Sequence, residues 1–123
     1  MGYRSDIRIK TTKNGYNAIK REWEKQVQTL NENNIDYYNL MDNIEIFERY
    51  NDIVYIGWDY LKFYKGYEEV DAIYDILEIL QKKEYPFHFL RVGEEWNDVE
   101  EIDNTETKKG YIGYIKLSRT MEF

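Results

Sequence analysis

The sequence predicts an α+β domain in which two helices pack on one face of a four- or five-stranded, mostly antiparallel sheet. Three observations lead there. Two segments carry apolar residues at helical spacing, the segments around them alternate with period two, and the order is strand, helix, two strands, helix, two strands. Nothing in residues 1–123 reads as a Pro- or Ser-rich linker or an internal repeat, so one domain is expected, and 123 residues are enough to bury a core.

Residues 3–11 open the chain as a strand, with Tyr3, Ser5, Ile7 and Ile9 on one face and Arg4, Asp6, Arg8 and Lys10 on the other. Asn14 and Gly15 punctuate the chain. Tyr16, Ile19, Trp23, Val27 and Leu30 then recur every three or four residues and define a helix over about 15–33. Residues 34–43 read as a loop with a helical turn. Ile44, Ile46 and Glu48 alternate with Glu45, Phe47 and Arg49, Asn51 and Asp52 supply a turn, and 53–63 completes a hairpin. Val70, Ile73, Leu77 and Leu80 space a second helix over 67–83, closed by Lys82 and Lys83, whose charge suits a helix C-terminus. Trp23 and Leu77 sit at the centres of their apolar stripes and are expected in the core. Pro86 restarts the chain as a strand over 87–92, residues 93–107 read as an acidic connection, and 110–120 reads as a final strand.

Charge is distributed in blocks. Residues 32–106 hold 20 Asp and Glu against 6 Lys and Arg, whereas residues 1–31 and 107–123 are net basic, so the overall charge of −7 conceals an acidic middle between basic ends. A field of one sign attracts opposite partners and repels like ones, which makes a basic protein surface a good partner for the middle segment and nucleic acid a poor one. Arg4, Arg8, Lys10, Lys108, Lys109, Lys116 and Arg119 would form a basic patch if the terminal strands paired, but a nucleic-acid binder is usually basic overall. Internal pairing of those ends with the acidic middle is the simpler expectation. The chain has no Cys, which excludes a disulfide scaffold, thiolate metal sites and a Cys nucleophile and makes a reducing cytoplasm the expected location. No run approaches the ~20 apolar residues of a membrane span, and the charged start is unlike a signal peptide. Thirteen Tyr, five Phe and three Trp are more than a core of this size needs, which places some Tyr at the surface, where they favour interfaces.

The densest feature is 94–106, where Glu94, Glu95, Asp98, Glu100, Glu101, Asp103 and Glu106 occur without a basic residue. It reads either as a solvated acidic loop or as a negatively charged binding edge. Trp96 within it is either an interface anchor or a side chain folded back to hold the loop down. A Ca²⁺ loop is disfavoured because the run has no Gly and lacks alternating ligands. His88, the only histidine, lies between Phe87 and Phe89 and reads as structural. The seven glycines are scattered and form no phosphate loop, so no cofactor is expected.

The stretches GYRSDIRI at the start, WDYLKFYKGYEEVDAI at 58–73 and FHFLRVGEEWNDVEE at 87–101 resemble a group of small bacteriophage and prophage proteins that begin Met-Gly-Tyr-Arg-Ser-Asp. The resemblance covers about a third of the chain and implies a phage origin more than an activity. In overall character the chain is similar to phage inhibitors of host restriction and CRISPR nucleases. The expectation is a non-enzymatic, acidic anti-CRISPR or anti-restriction protein that works in the host cytoplasm as a nucleic-acid mimic. Glu94, Glu95, Trp96, Asp98, Glu100, Glu101 and Asp103 would then meet the basic groove of the nuclease. Rival readings are a phage accessory module for another host or virion partner, and a small nucleotide-signal protein using Arg8, Tyr60, His88 and Arg91.

Overall fold

The structure, a computed structural model, describes residues 3–95 and 97–115. The chain runs through β1 (Ser5–Thr12), α1 (Lys13–Glu32), a 3₁₀ turn (Met41–Asn43), β2 (Ile46–Tyr50), β3 (Ile53–Leu61), α2 (Glu68–Lys82), β4 (Phe87–Val92) and β5 (Val99–Asn104), then a hairpin of β6 (Glu106–Thr107) and β7 (Gly110–Tyr111). The α+β class is as the sequence predicts. β1 to β5 form one sheet in the order β2-β3-β1-β4-β5, and every neighbouring pair is antiparallel. Without β5 this is the split βαβ arrangement of ferredoxin-like folds.

Alternation along β1 sends Ile7 and Ile9 into a core shared with Val54, Ile56 and Trp58 of β3 and Phe87 and Phe89 of β4. Ala18, Ile19 and Trp23 of α1 and Val70, Ile73 and Leu77 of α2 fill it from above. Trp23 and Leu77 are thus core residues. Asn14 and Gly15 are not a turn: they lie in the first turn of α1, because Thr12 caps the helix by accepting the Gly15 N–H at 3.0 Å. A Cβ on Gly15 would come within 2.0 Å of Thr11 Oγ1, so only glycine lets the helix start this close to the strand. Two indoles fix the 34–43 loop: Trp58 Nε1 donates to the Leu40 carbonyl and Trp23 Nε1 to Asn39 Oδ1, each at 3.0 Å.

Two sequence expectations are corrected. Residues 93–107 are not all connection, since 99–104 pairs with β4 as the fifth strand, where Glu100 lies opposite Arg91 and Asp103 opposite His88. Opposite-charge and hydrogen-bonding cross-strand pairs stabilise a strand whose sequence is too acidic to announce itself. Nor is 110–120 one long strand. Only Gly110–Tyr111 is extended, paired with Glu106–Thr107, and residues 112–115 cross the open face of the sheet; 116–120 lie outside the described residues.

That open face is not left to solvent. Arg8 and Lys10 of β1 and His88 and Leu90 of β4 are buried there. The Ile115 N–H donates to His88 Nδ1 at 2.9 Å, and Lys10 Nζ donates to the Tyr114 carbonyl at 3.5 Å.

Candidate functional site

Residues 3–8, 59–64 and 91–98 lie far apart in sequence, and their described residues meet at one end of the sheet. Tyr3 donates its backbone N–H to Tyr64 Oη and its hydroxyl to Asp98 Oδ2, and the Arg4 N–H donates to Glu94. Tyr3 Oη also accepts the Glu95 N–H at 3.0 Å. Asp6 Oδ1 accepts the Tyr60 N–H at 2.9 Å, and Arg8 pairs with Asp59 at 2.7 Å.

Arg91 is the hub. Its guanidinium grips Asp98 with two nitrogens at 2.7 and 3.2 Å, donates to Ser5 Oγ at 3.1 Å and reaches Glu100 through Nε at 3.0 Å. This planar fork matches carboxylate geometry in a way a lysine does not. Tyr74 of α2 closes the cluster by donating to Glu100 at 2.6 Å. The bonds from Arg91, then Tyr3, hold the Asp98 carboxyl below its ordinary range, and the Asp98 bond holds the Arg91 guanidinium more firmly protonated. Burial, then the Glu100 bond, pushes the Tyr74 hydroxyl up. A Cβ at Gly93 would fall 2.1 Å from Asp98 Oδ2 and 2.3 Å from the Tyr3 hydroxyl, so the glycine is a condition of the cluster.

Further along β5, Glu101 accepts from His88 Nε2 at 2.6 Å. Because His88 Nδ1 accepts the Ile115 N–H, the ring proton lies on Nε2 and the imidazole is a neutral donor. Asp103 accepts the Thr105 hydroxyl at 2.8 Å and N–H at 3.1 Å and the Tyr114 hydroxyl at 2.9 Å, and Thr105 is the main cause that lowers its carboxyl.

Each predicted site residue therefore has a definite place. Asp98 and Glu100 are half-buried around Arg91, Glu101 and Asp103 are exposed beside His88, and Glu94 and Glu95 are exposed at the turn into β5. Trp96 lies outside the described residues. Among the described residues, Arg91 is the one donor to these carboxylates that carries a formal charge; the others are hydroxyls, backbone N–H groups and a neutral imidazole. The array is fixed in geometry and remains strongly negative.

The other predicted constellations do not assemble. Arg8, Tyr60, His88 and Arg91 share no site, since Arg8 and His88 are on the open face, Arg91 is on the helix side and Tyr60 is exposed at the sheet end. Among the described residues the terminal basic side chains are turned to separate partners: Arg8 is bound to Asp59, Lys10 is covered by Tyr114 and Lys109 lies over the Tyr85 ring at 4.0 Å; Lys116 and Arg119 lie outside the described residues. Among the described residues no group of three or more His, Asp or Glu side chains is placed to hold a metal ion, and no helix is long and apolar enough to cross a membrane. The sequence does not single out Tyr3, Ser5, Tyr74 and Tyr114 as organisers of the site, because each acts across the fold; the one local signal was the complementarity of Arg91 and His88 to the acids that follow.

No protein-family model matches this chain, and it matches no curated protein and no solved structure.

Proposed function

We propose that the chain is a phage-encoded inhibitor of a host defence nuclease, of the anti-CRISPR or anti-restriction type, that binds a basic nucleic-acid groove with the carboxylates of 94–106. The observation that supports this reading is the internal bracing of Asp98, Glu100, Glu101 and Asp103 by donors that are mostly uncharged. Bracing the acidic run lowers the ordering entropy that binding must overcome. Keeping its charge preserves the steering toward cations. Glu94, Glu95 and Glu106 are exposed at the ends of the run and would make the outermost contacts.

The test is inhibition of purified CRISPR effector nucleases and restriction endonucleases by the parent and by a Glu94→Lys/Glu95→Lys/Glu106→Lys variant. These side chains support no core packing, so the variant is expected to fold. At least one nuclease should be inhibited by the parent, far less by the variant, and less by either in high salt, because exposed charges are screened over ~8 to 10 Å at ordinary ionic strength. Equal inhibition by both proteins would remove the loop from the mechanism, and inhibition of none would overturn the nuclease reading.

A further inference from the structure

A second surface is built where β3 passes Asp59 and Tyr60. Ser5 lies opposite Leu61 but Ile7 opposite Trp58, so β3 uses one more residue than β1 over this stretch. The extra residue is a β-bulge, which re-aims the side chains around it. Tyr60 adopts a φ of 55°, left-handed backbone that an aromatic residue takes only when its surroundings enforce it. The Asp6 carboxylate supplies that enforcement by holding the Tyr60 N–H. The result is a ring that is 69% exposed.

Tyr60 does not stand alone. With Tyr38 and Tyr67, also exposed, it lines a hollow of ≈ 380 Å³ whose walls include Glu45 and Glu69. A shallower hollow of ≈ 490 Å³ continues past Tyr38 and Tyr67 to Asp36 and Glu68. Two basic residues, Arg4 and Lys62, face five acids across the two hollows, and among the described residues Asp59 is the one of those acids paired with a cation, Arg8. Glu45 accepts the Asp59 N–H at 2.6 Å and Glu69 the Tyr38 N–H at 3.2 Å, bonds that position both carboxylates without neutralising them. The Arg4 guanidinium already lies over Tyr60, 5.2 Å from the ring centre, so the ring faces offered to a partner are chiefly those of Tyr38 and Tyr67.

We propose that this hollow of tyrosines and carboxylates is a docking site for an arginine or lysine side chain on a basic protein partner. Tyrosine faces attract a cation through the ring quadrupole, carboxylates add Coulomb attraction, and rigid aromatic rings supply contact area with little loss of conformational entropy. Polynucleotide would be repelled by the same acids, and a purely apolar segment would leave them desolvated and unpaired. The choice of a basic partner rests on the function proposed above; no residue of 94–106 lines the hollow, which adjoins that run through Arg4 and gives the partner a second anchor.

The experiment is an NMR titration of the full chain with N-acetyl-arginine amide and N-acetyl-lysine amide, with the uncharged N-acetyl-norleucine amide as control. Ring resonances of Tyr38, Tyr60 and Tyr67 should move with the two cations and not with the control. Tyr38→Leu and Tyr67→Leu should each weaken binding about two- to fivefold, as expected for loss of one exposed ring, and Glu69→Gln should weaken it further at low salt. Tyr67 caps α2 through its backbone alone, so Tyr67→Leu leaves the helix start in place, which thermal melting checks. Shifts of the same size with norleucine amide, or shifts confined to residues 94–106, would overturn the site. The titration contains no nuclease, so its failure removes the hollow alone, while failure of the inhibition assay removes the nuclease reading alone.

Discussion

In its central strands β1 and β4 the sheet is buried on both faces, by different physics. On the helix side Ile9, Ile56 and Phe89 are packed among apolar side chains and need nothing but close packing. On the open side His88, at 0% exposure, and Arg8 and Lys10, at 6% and 8%, are as deeply covered, yet each needs a specific partner. Arg8 donates to Asp59 and to the Ile7 and Trp58 carbonyls, His88 bridges Glu101 and Ile115, and Lys10 lies between the Tyr114 carbonyl and the Tyr55 ring. An apolar face tolerates small shifts, because transfer free energy follows area. A polar face fails group by group, because each buried donor that loses its acceptor carries its full desolvation penalty.

The largest expected effect lies on the apolar side. Trp23→Ala and Leu77→Ala each remove a core side chain whose space the helices cannot close, and each should destabilise the protein by about 2 to 5 kcal/mol in denaturant unfolding. A Trp23→Ala midpoint equal to that of the parent would refute the helix-side core. A smaller and more local loss is expected on the open face. His88→Leu keeps bulk but strips the Ile115 N–H of its acceptor, and about 1 to 3 kcal/mol should follow. The distinguishing readout is hydrogen exchange: the Ile115 amide should lose protection in His88→Leu while the Phe89 amide stays protected. Loss at both sites together would mean the two faces are one cooperative unit.

How legible this was in the sequence follows the same division. Period-two alternation on β1 and the three-four spacing of Trp23 and Leu77 report apolar burial, and both helices, β1 to β4 and the core were readable from them. Polar burial has no period. Nothing local in Lys10 or His88 says that residues 112–115 return over that face, so alternation identified Arg8 and Lys10 only as the other face of β1. β5 was hidden for a related reason, since its acids are stabilised by Arg91 and His88 on the neighbouring strand and not by their own propensity. At the candidate site the carboxylates were visible as a run, but Tyr3 and Tyr74, which donate to them, and Ser5, which holds Arg91, come from the segment before the first strand, the second helix and the first strand. Tyr60 and its hollow depend on a bulge and a positive φ that no residue pattern signalled.

The helix side also carries polar groups, Ser5, Thr11 and Arg91 among them, and the Arg91 fork gives the smallest and most specific effect. Arg91 lies opposite Ile7 on that face, at the end of the core, and its fork on Asp98 is partly open to solvent. Solvent screening keeps such a pair to about 1 kcal/mol or less. Its pH dependence has a definite sign. The Asp98 carboxyl is held below its unfolded value of ~3.9 by Arg91 and Tyr3, so the native state binds fewer protons than the unfolded state in that range. The contribution is therefore complete above about pH 4 and is lost as pH falls through the native value. Asp98→Asn removes the titrating group and keeps the shape. Its melting temperature should lie slightly below the parent's at pH 7, and the gap should narrow on acidification below pH ~4. A gap that stays constant down to pH ~2 would show that Asp98 acts through packing, and the bracing of the acidic run would then rest on Glu100 and Tyr74 instead.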